Sequence, residues 1–199
     1  MSSSILIRLG GLVAIMGGLA ATILGLLYVL QAWGMTLDFT AMALLKGHYE
    51  NPVANMLLVG VLAAITALHI IQKRYYGRWG TLAFLGAFVG AAMILVDQLL
   101  VAFSLLFVIG LLVATVGIIT VGAVTLLSAG VLPRWCGIAI IAGSPLGVGI
   151  LFAFFTPLVM TSILPGEIFW ALAGIPWIVV GYAAFRAASR GTVTPARVR

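Results

Sequence analysis

The stretch Trp79–Leu127, WGTLAFLGAFVGAAMILVDQLLVAFSLLFVIGLLVATVGIITVGAVTLL, is interrupted only by Asp97 and Gln98. A helix crossing a bilayer's hydrocarbon core needs about 20 apolar residues, within a range of about 17–25. The stretch is roughly twice that length, so it predicts two helices joined by a tight turn near residues 98–104. Working outward, the charge-free intervals are 9–37, 51–72, 79–96, 98–133, 135–166 and 168–185. Each holds one span, and the expected spans lie near 6–30, 53–72, 79–98, 104–127, 136–157 and 167–186.

Composition points the same way. Of 199 residues, 64% are apolar and 7% charged, against about 45–50% and about 25% in soluble domains. A soluble globule and a disordered chain are excluded, and the lone Cys136 excludes a disulfide scaffold. The net charge of +6 is too thinly spread for a nucleic-acid surface. A β-barrel is excluded because its strands are about ten residues of alternating polarity, and nothing here alternates. The apolar run over residues 1–30 exceeds the usual 7–15 residues of a signal peptide, so it reads as a span. The expectation is an all-α integral membrane protein: six transmembrane helices in three antiparallel hairpins, one domain over 1–188 and a basic tail over 189–199.

Charge gives the orientation, because cytoplasmic loops carry the Lys/Arg excess. With the N-terminus inside, Arg8, Lys73, Arg74, Arg78, Arg134, Arg186, Arg190, Arg197 and Arg199 fall inside, and only Lys46 falls outside. The acids Asp38, Glu50, Asp97 and Glu167 fall at or near the outer side. Both termini are therefore expected in the cytoplasm, with the arginine tail on the anionic inner leaflet, where each charge gains about 1 kcal/mol. Trp79, Trp135, Tyr75, Tyr76 and Tyr182 are expected at the inner interface, and Trp33, Tyr49 and Trp170 at the outer one. Trp177 does not fit, since it falls nearer mid-membrane.

Membrane helices associate through close packing of small residues and some interhelical hydrogen bonding. The first span carries Gly11, Ala14, Gly18, Ala21 and Gly25 at alternating spacings of three and four, a single stripe down one face. The third carries Gly86-xxx-Gly90. These stripes read as helix-packing faces, within the chain or toward a homo- or hetero-oligomer, in preference to a flexible wall beside a substrate path. Pro145, beside Ser144 and Gly147, and Pro176, beside Gly174, interrupt the last two spans. Such breaks kink helices and are where transporters place midplane sites, though they also occur in membrane helices without that role. Arginine, a bulky residue and small residues open the odd-numbered spans alike at Arg8, Arg78 and Arg134. Interfacial anchoring explains that similarity without an internal repeat.

Intramembrane ionisable residues are functional candidates by default. Asp97, with Gln98 beside it, either ends the third span at the outer interface or lies two turns below it as a cation or proton site. Lys46, His48 and Glu50 of the outer loop 33–52 stand near the same mouth; Thr36 or Asp38 caps a short interfacial helix in that loop. His69 offers one axial position for a pigment or haem iron, but reads more simply, with Gln72, as the polar end of a helix. Zinc needs three or four convergent ligands, which two histidines on opposite sides do not supply. Cys136 is either an acylation site or a packed small residue. No P-loop, HExxH or Ser-His-Asp spacing occurs, so catalysis, a metal and a resident cofactor are not expected.

At Gly130-Val131-Leu132-Pro133-Arg134-Trp135-Cys136-Gly137, running into Ile138–Gly143, the sequence resembles uncharacterised bacterial multi-pass membrane proteins with a Leu-Pro-Arg-Trp loop between two helices. The likeness covers about 35 residues, and Cys136 stands where a bulky apolar residue is more usual. The resemblance implies a helical fold in a prokaryotic plasma membrane and carries no activity or ligand. The sequence therefore favours a non-catalytic structural or accessory component of a membrane assembly, then a small transporter or channel using Asp97, then a pigment- or haem-binding subunit using His69. A polar cavity joining Asp97 to the Pro145 and Pro176 breaks would favour transport; a solidly packed bundle would favour the structural role.

Overall fold

The computed structural model describes residues 3–34, 52–100, 104–128, 131–160 and 168–190. Among these, the elements are α1 (Ser3–Ala32), α2 (Pro52–Leu100), α3 (Leu105–Leu127), α4 (Trp135–Ala142), α5 (Pro145–Met160) and α6 (Ile168–Ser189), with no strand. Four helices are long and apolar enough to cross a membrane, or five if α4 and α5 form one bent span.

A straight helix of α2's 49 residues would be roughly 74 Å long at 1.5 Å per residue. Gly77 prevents this, with φ 61° and ψ −160°, a backbone region open essentially to glycine alone. The chain folds back there. His69 on the first limb stacks on Phe84 of the second with ring centroids 4.0 Å apart, and Met56 and Leu99, near the two far ends, line one crevice. The expected loop between the second and third spans thus contracts to a single non-helical residue. Gly80 completes the reversal, because a Cβ there would lie 2.1 Å from that of Tyr76. Tyr76, expected at the interface, is instead buried, with its hydroxyl 3.3 Å from Thr125 Oγ.

A second correction concerns the span expected over 136–157, which is two helices meeting at 75°. The sequence encodes the break locally. Ser144 Oγ accepts from Gly147 N at 3.0 Å, and Pro145 takes the first helical position, where its missing N–H costs no intrahelical bond. Gly143 N donates to Ala139 O at 2.9 Å and closes α4.

Neighbouring helices run antiparallel and meet at small residues. A Cβ on Gly11 or Gly18 would lie 2.7 Å from the carbonyl oxygen of Gly181 or Gly174, and one on Gly25 would lie 2.5 Å from Ala171 N. Ala14 and Ala21 between them are fully buried. The expected stripe is therefore the α1–α6 contact. Gly10 and Gly17, on an adjoining face of α1, approach Ala63 and Met56 of α2 just as closely. The second limb of α2 meets α3 at Gly90 and Gly117, where an added Cβ would lie 2.2 Å from Ala114 N or Ala87 N; α3 meets α4 at Gly122 and Gly137. Gly86 differs from Gly90, since its nearest neighbour would be 3.8 Å away.

The packing is inverted relative to a water-soluble globule. Alanines and glycines fill much of the interior, whereas Leu82, Leu112, Val116, Leu127 and Phe154 are exposed. The antiparallel order also gathers the exposed Arg8, Lys73, Arg74, Arg78, Arg134, Arg186 and Arg190 at one end of the bundle, with Asp97 toward the other.

Three substitutions test this packing by thermal unfolding in mild detergent. Gly77→Val forces a side chain into the glycine-only conformation and is expected to cost about 1–3 kcal/mol. Gly90→Leu overpacks the α2–α3 contact and is expected to cost at least about 1–3 kcal/mol, while Gly86→Ala stays within about 0.5 kcal/mol of the parent. Equal losses at Gly86 and Gly90 would contradict the contact geometry.

Candidate functional site

Asp97 lies one turn before the end of α2 and is 1% exposed. Its carboxylate accepts from the backbone N–H of Ser104, at 3.2 and 3.3 Å to the two oxygens, and from the Ser104 hydroxyl. Ser104 Oγ in turn accepts from Leu106 N at 3.1 Å and caps α3. The charge therefore sits at the N-terminus of α3, where the helix dipole favours an anion. This arrangement uses Asp97 as the clasp between two consecutive helices. Its expected neighbours Lys46, His48 and Glu50 lie outside the described residues, as do Thr36, Asp38, Tyr49, Glu167, Arg197 and Arg199.

The two prolines come together, but only Pro145 marks a break: α6 runs through Pro176 as one helix, against the expected interruption there. Trp177, the residue after Pro176, is 2% exposed, and its indole N–H donates to the Gly143 carbonyl at 3.1 Å. A Cβ on Gly143 would lie 3.1 Å from Pro176 Cβ. Ser144 is fully buried, and its hydroxyl donates to Ile141 O at 2.7 Å. Backbone groups freed by the break are in this way met by Ser144 and Trp177, as an environment without water requires. Trp177, which did not fit the expected interfacial girdles, is a buried interior residue that holds this hydrogen bond.

Beside the break lies a cavity of about 380 Å³ between both limbs of α2, α3, the α4–α5 junction and α6. Gln98, Pro145 and Trp177 line it; Asp97 is not among its lining residues. The rest of the wall is aliphatic or aromatic, including Leu57, Ile94, Phe107, Ile118, Val148 and Trp170. The space is not enclosed: it opens at the bundle surface, so what lies around the bundle can enter it. Water is a poor filling, because each buried molecule wants 2–4 polar partners and the wall's side chains offer one amide and two indoles. A cavity does reach the Pro145 break and the residue beside Pro176, but it is apolar and bypasses the carboxylate.

A smaller polar cluster sits near the Gly77 end. Thr125 Oγ lies 2.7 Å from Val121 O and 3.0 Å from Gln72 Oε1, and Gln72 and Thr125 are each 1% exposed. Gln72 Nε2, His69 Nδ1 and Ser128 Oγ have no hydrogen-bond partner among the described residues. Gln72, expected at an interface, is thus an interior link between α2 and α3. His69 presents one ring face to Phe84. Among the described residues, no group of three or more His, Cys, Asp or Glu could hold a metal. Cys136 is fully buried, which fits a packed small residue and not an accessible acylation site.

The cavity and the Trp177 hydrogen bond had no sequence signature beyond the Ser-Pro pair and an unexplained tryptophan. Trp177→Phe keeps the packing but leaves the Gly143 carbonyl without its indole donor, for an expected loss of about 1–3 kcal/mol in detergent unfolding. Asp97→Ala, which removes the clasp on Ser104, is expected to lose about 0.5–2 kcal/mol, and Asp97→Asn less. Compared with known proteins, the chain matches no protein-family model, no curated protein and no solved structure.

Proposed function

We propose that the chain is a six-span plasma-membrane protein with both termini in the cytoplasm, acting without catalysis as a structural or accessory component of a membrane assembly. The single observation that carries this reading is the use of Asp97: the one acid among the described residues is engaged in joining α2 to α3 through Ser104. The reversal at Gly77 supports counting α2 as two spans and the α4–α5 pair as a broken one. The basic end of the bundle supports an inner face against anionic lipid, following the positive-inside rule. Gly86, where an added Cβ would make only ordinary contact with α3, and the shallow crevice it lines with Trp79, Leu82 and Leu112 offer a surface for a neighbouring transmembrane helix. Small residues let such helices approach closely.

Transport is the second reading, favoured by a cavity that reaches from Gln98 to the Pro145 break. Two experiments separate the readings. Extracted from its native membrane in mild detergent, the protein is expected to run as a complex larger than its monomer, and Gly86→Leu is expected to release it. A lone monomer would contradict the accessory role. In proteoliposomes, Asp97→Asn is expected to leave ion flux at the parent's level, and its selective loss would favour transport.

A further inference from the structure

The cavity beside the α4–α5 break is elongated along the bundle. Gln98, Phe107 and Trp170 stand near helix ends, whereas Ile118, Gly143 and Trp177 lie deeper. The seven residues from Trp170 to Trp177 span about 10 Å and the eleven from Phe107 to Ile118 about 16 Å, at 1.5 Å per residue. Its volume of about 380 Å³ takes on the order of a dozen carbon units if each fills about 30 Å³, the share of one water molecule in the liquid. The end near Gln98 is also aromatic. Phe169 lies edge-on to Trp170 at 5.7 Å and to Phe152 at 5.9 Å, and of these rings the amphipathic indole of Trp170 is of the kind that prefers the headgroup level of a bilayer.

We infer that the cavity binds one unbranched hydrocarbon chain of a membrane amphiphile, tail-first. The terminal carbons lie against Ile118 and Trp177, and the polar end is near the amide of Gln98. The shape suits a single chain better than a compact ring system, because the space is long for its volume. The wall suits hydrocarbon better than water, because among the described residues its polar side chains are one amide and two indoles over at least two helical turns of depth. Trp177, tied to the Gly143 carbonyl at 3.1 Å, is a fixed part of the wall at its deeper end. The inference rests on the bundle lying in a bilayer and adds a ligand to that reading.

The full-length protein is reconstituted in phosphatidylcholine vesicles with a free fatty acid bearing a diazirine on its chain. In a second arm the diazirine is on one chain of a phospholipid. After photolysis, adducts are mapped by peptide mass spectrometry. Adducts at Val148, Ile118 or Trp177 that saturate with probe concentration are expected in at least one arm, and the productive arm identifies the amphiphile. Adducts at the exposed Leu112 and Val116 should rise without saturating and report insertion in the bilayer. Ala173→Phe, which fills the cavity from α6, should lower the cavity adducts several-fold and leave those at Leu112 and Val116 unchanged. Val148→Phe fills it from α5 and should do the same, so the result does not depend on one variant folding. Label at Leu112 and Val116 without saturable label in the cavity would overturn the inference, meaning that water or the chain's own residues fill the space. Cavity label indifferent to both filling variants would also overturn it. Absence of label at every position would remove the membrane reading together with the inference.

Discussion

At Gly77 the backbone takes φ 61° and ψ −160°, a combination that a Cβ forbids, and the arrangement of the whole bundle depends on it. Without the reversal, α2 would project its second limb far beyond α1. With it, the limbs lie side by side, His69 meets Phe84, and α3 can pack along the second limb. The same turn sets Lys73, Arg74 and Arg78 at the end of the bundle that holds Arg8, Arg134 and Arg186. One backbone conformation therefore links the packing order to the charge asymmetry.

Around that turn, the chain holds itself together by backbone proximity. Where lipid lies outside, apolar side chains gain little by moving inward, and close van der Waals contact between helices carries the association. The glycines of α1 face two partners at once: Gly11, Gly18 and Gly25 toward α6, Gly10 and Gly17 toward α2. Interior polar groups serve the same end. Asp97 holds Ser104, Ser144 starts α5, and Thr125 links Gln72 and Tyr76. Tight packing stops beside the α4–α5 break, where a bend of 75° prevents α5 from lying along its neighbours. The cavity lies against that bend, lined there by Gly143, Pro145 and Val148, and its apolar wall follows from the composition of the helices around it.

Much of the helical layout was legible because lengths of charge-free sequence bound helices directly. The stripe from Gly11 to Gly25 was legible because helical periodicity places those residues on one face whatever their partner. Their partner, α6, was not legible, since small residues on one helix do not name the helix they meet. Gly77 was hidden by its surroundings: Lys73, Arg74 and Arg78 marked a connection, but a six-residue loop and a one-residue reversal have the same charge pattern. Pro145 was legible as an interruption, yet a broken span and a kinked span differ by backbone angles that the sequence alone did not separate. Asp97 stood out as the candidate for chemistry, but its use depends on Ser104 arriving from the next helix. The cavity depends on five helical segments converging, so no local motif announced it.

The central claim is that α2 is a hairpin closed at Gly77 and that the bundle is ordered around it. Cross-linking measures this directly in native membranes, with Met56→Cys and Leu99→Cys paired in a Cys136→Ser background. The two sites line one crevice, whereas a continuous helix would separate them by roughly 65 Å at 1.5 Å per residue. Rapid intramolecular linkage by a short bifunctional maleimide is the predicted result. Failure to link, with both cysteines shown to react singly, would contradict the hairpin and the architecture built on it.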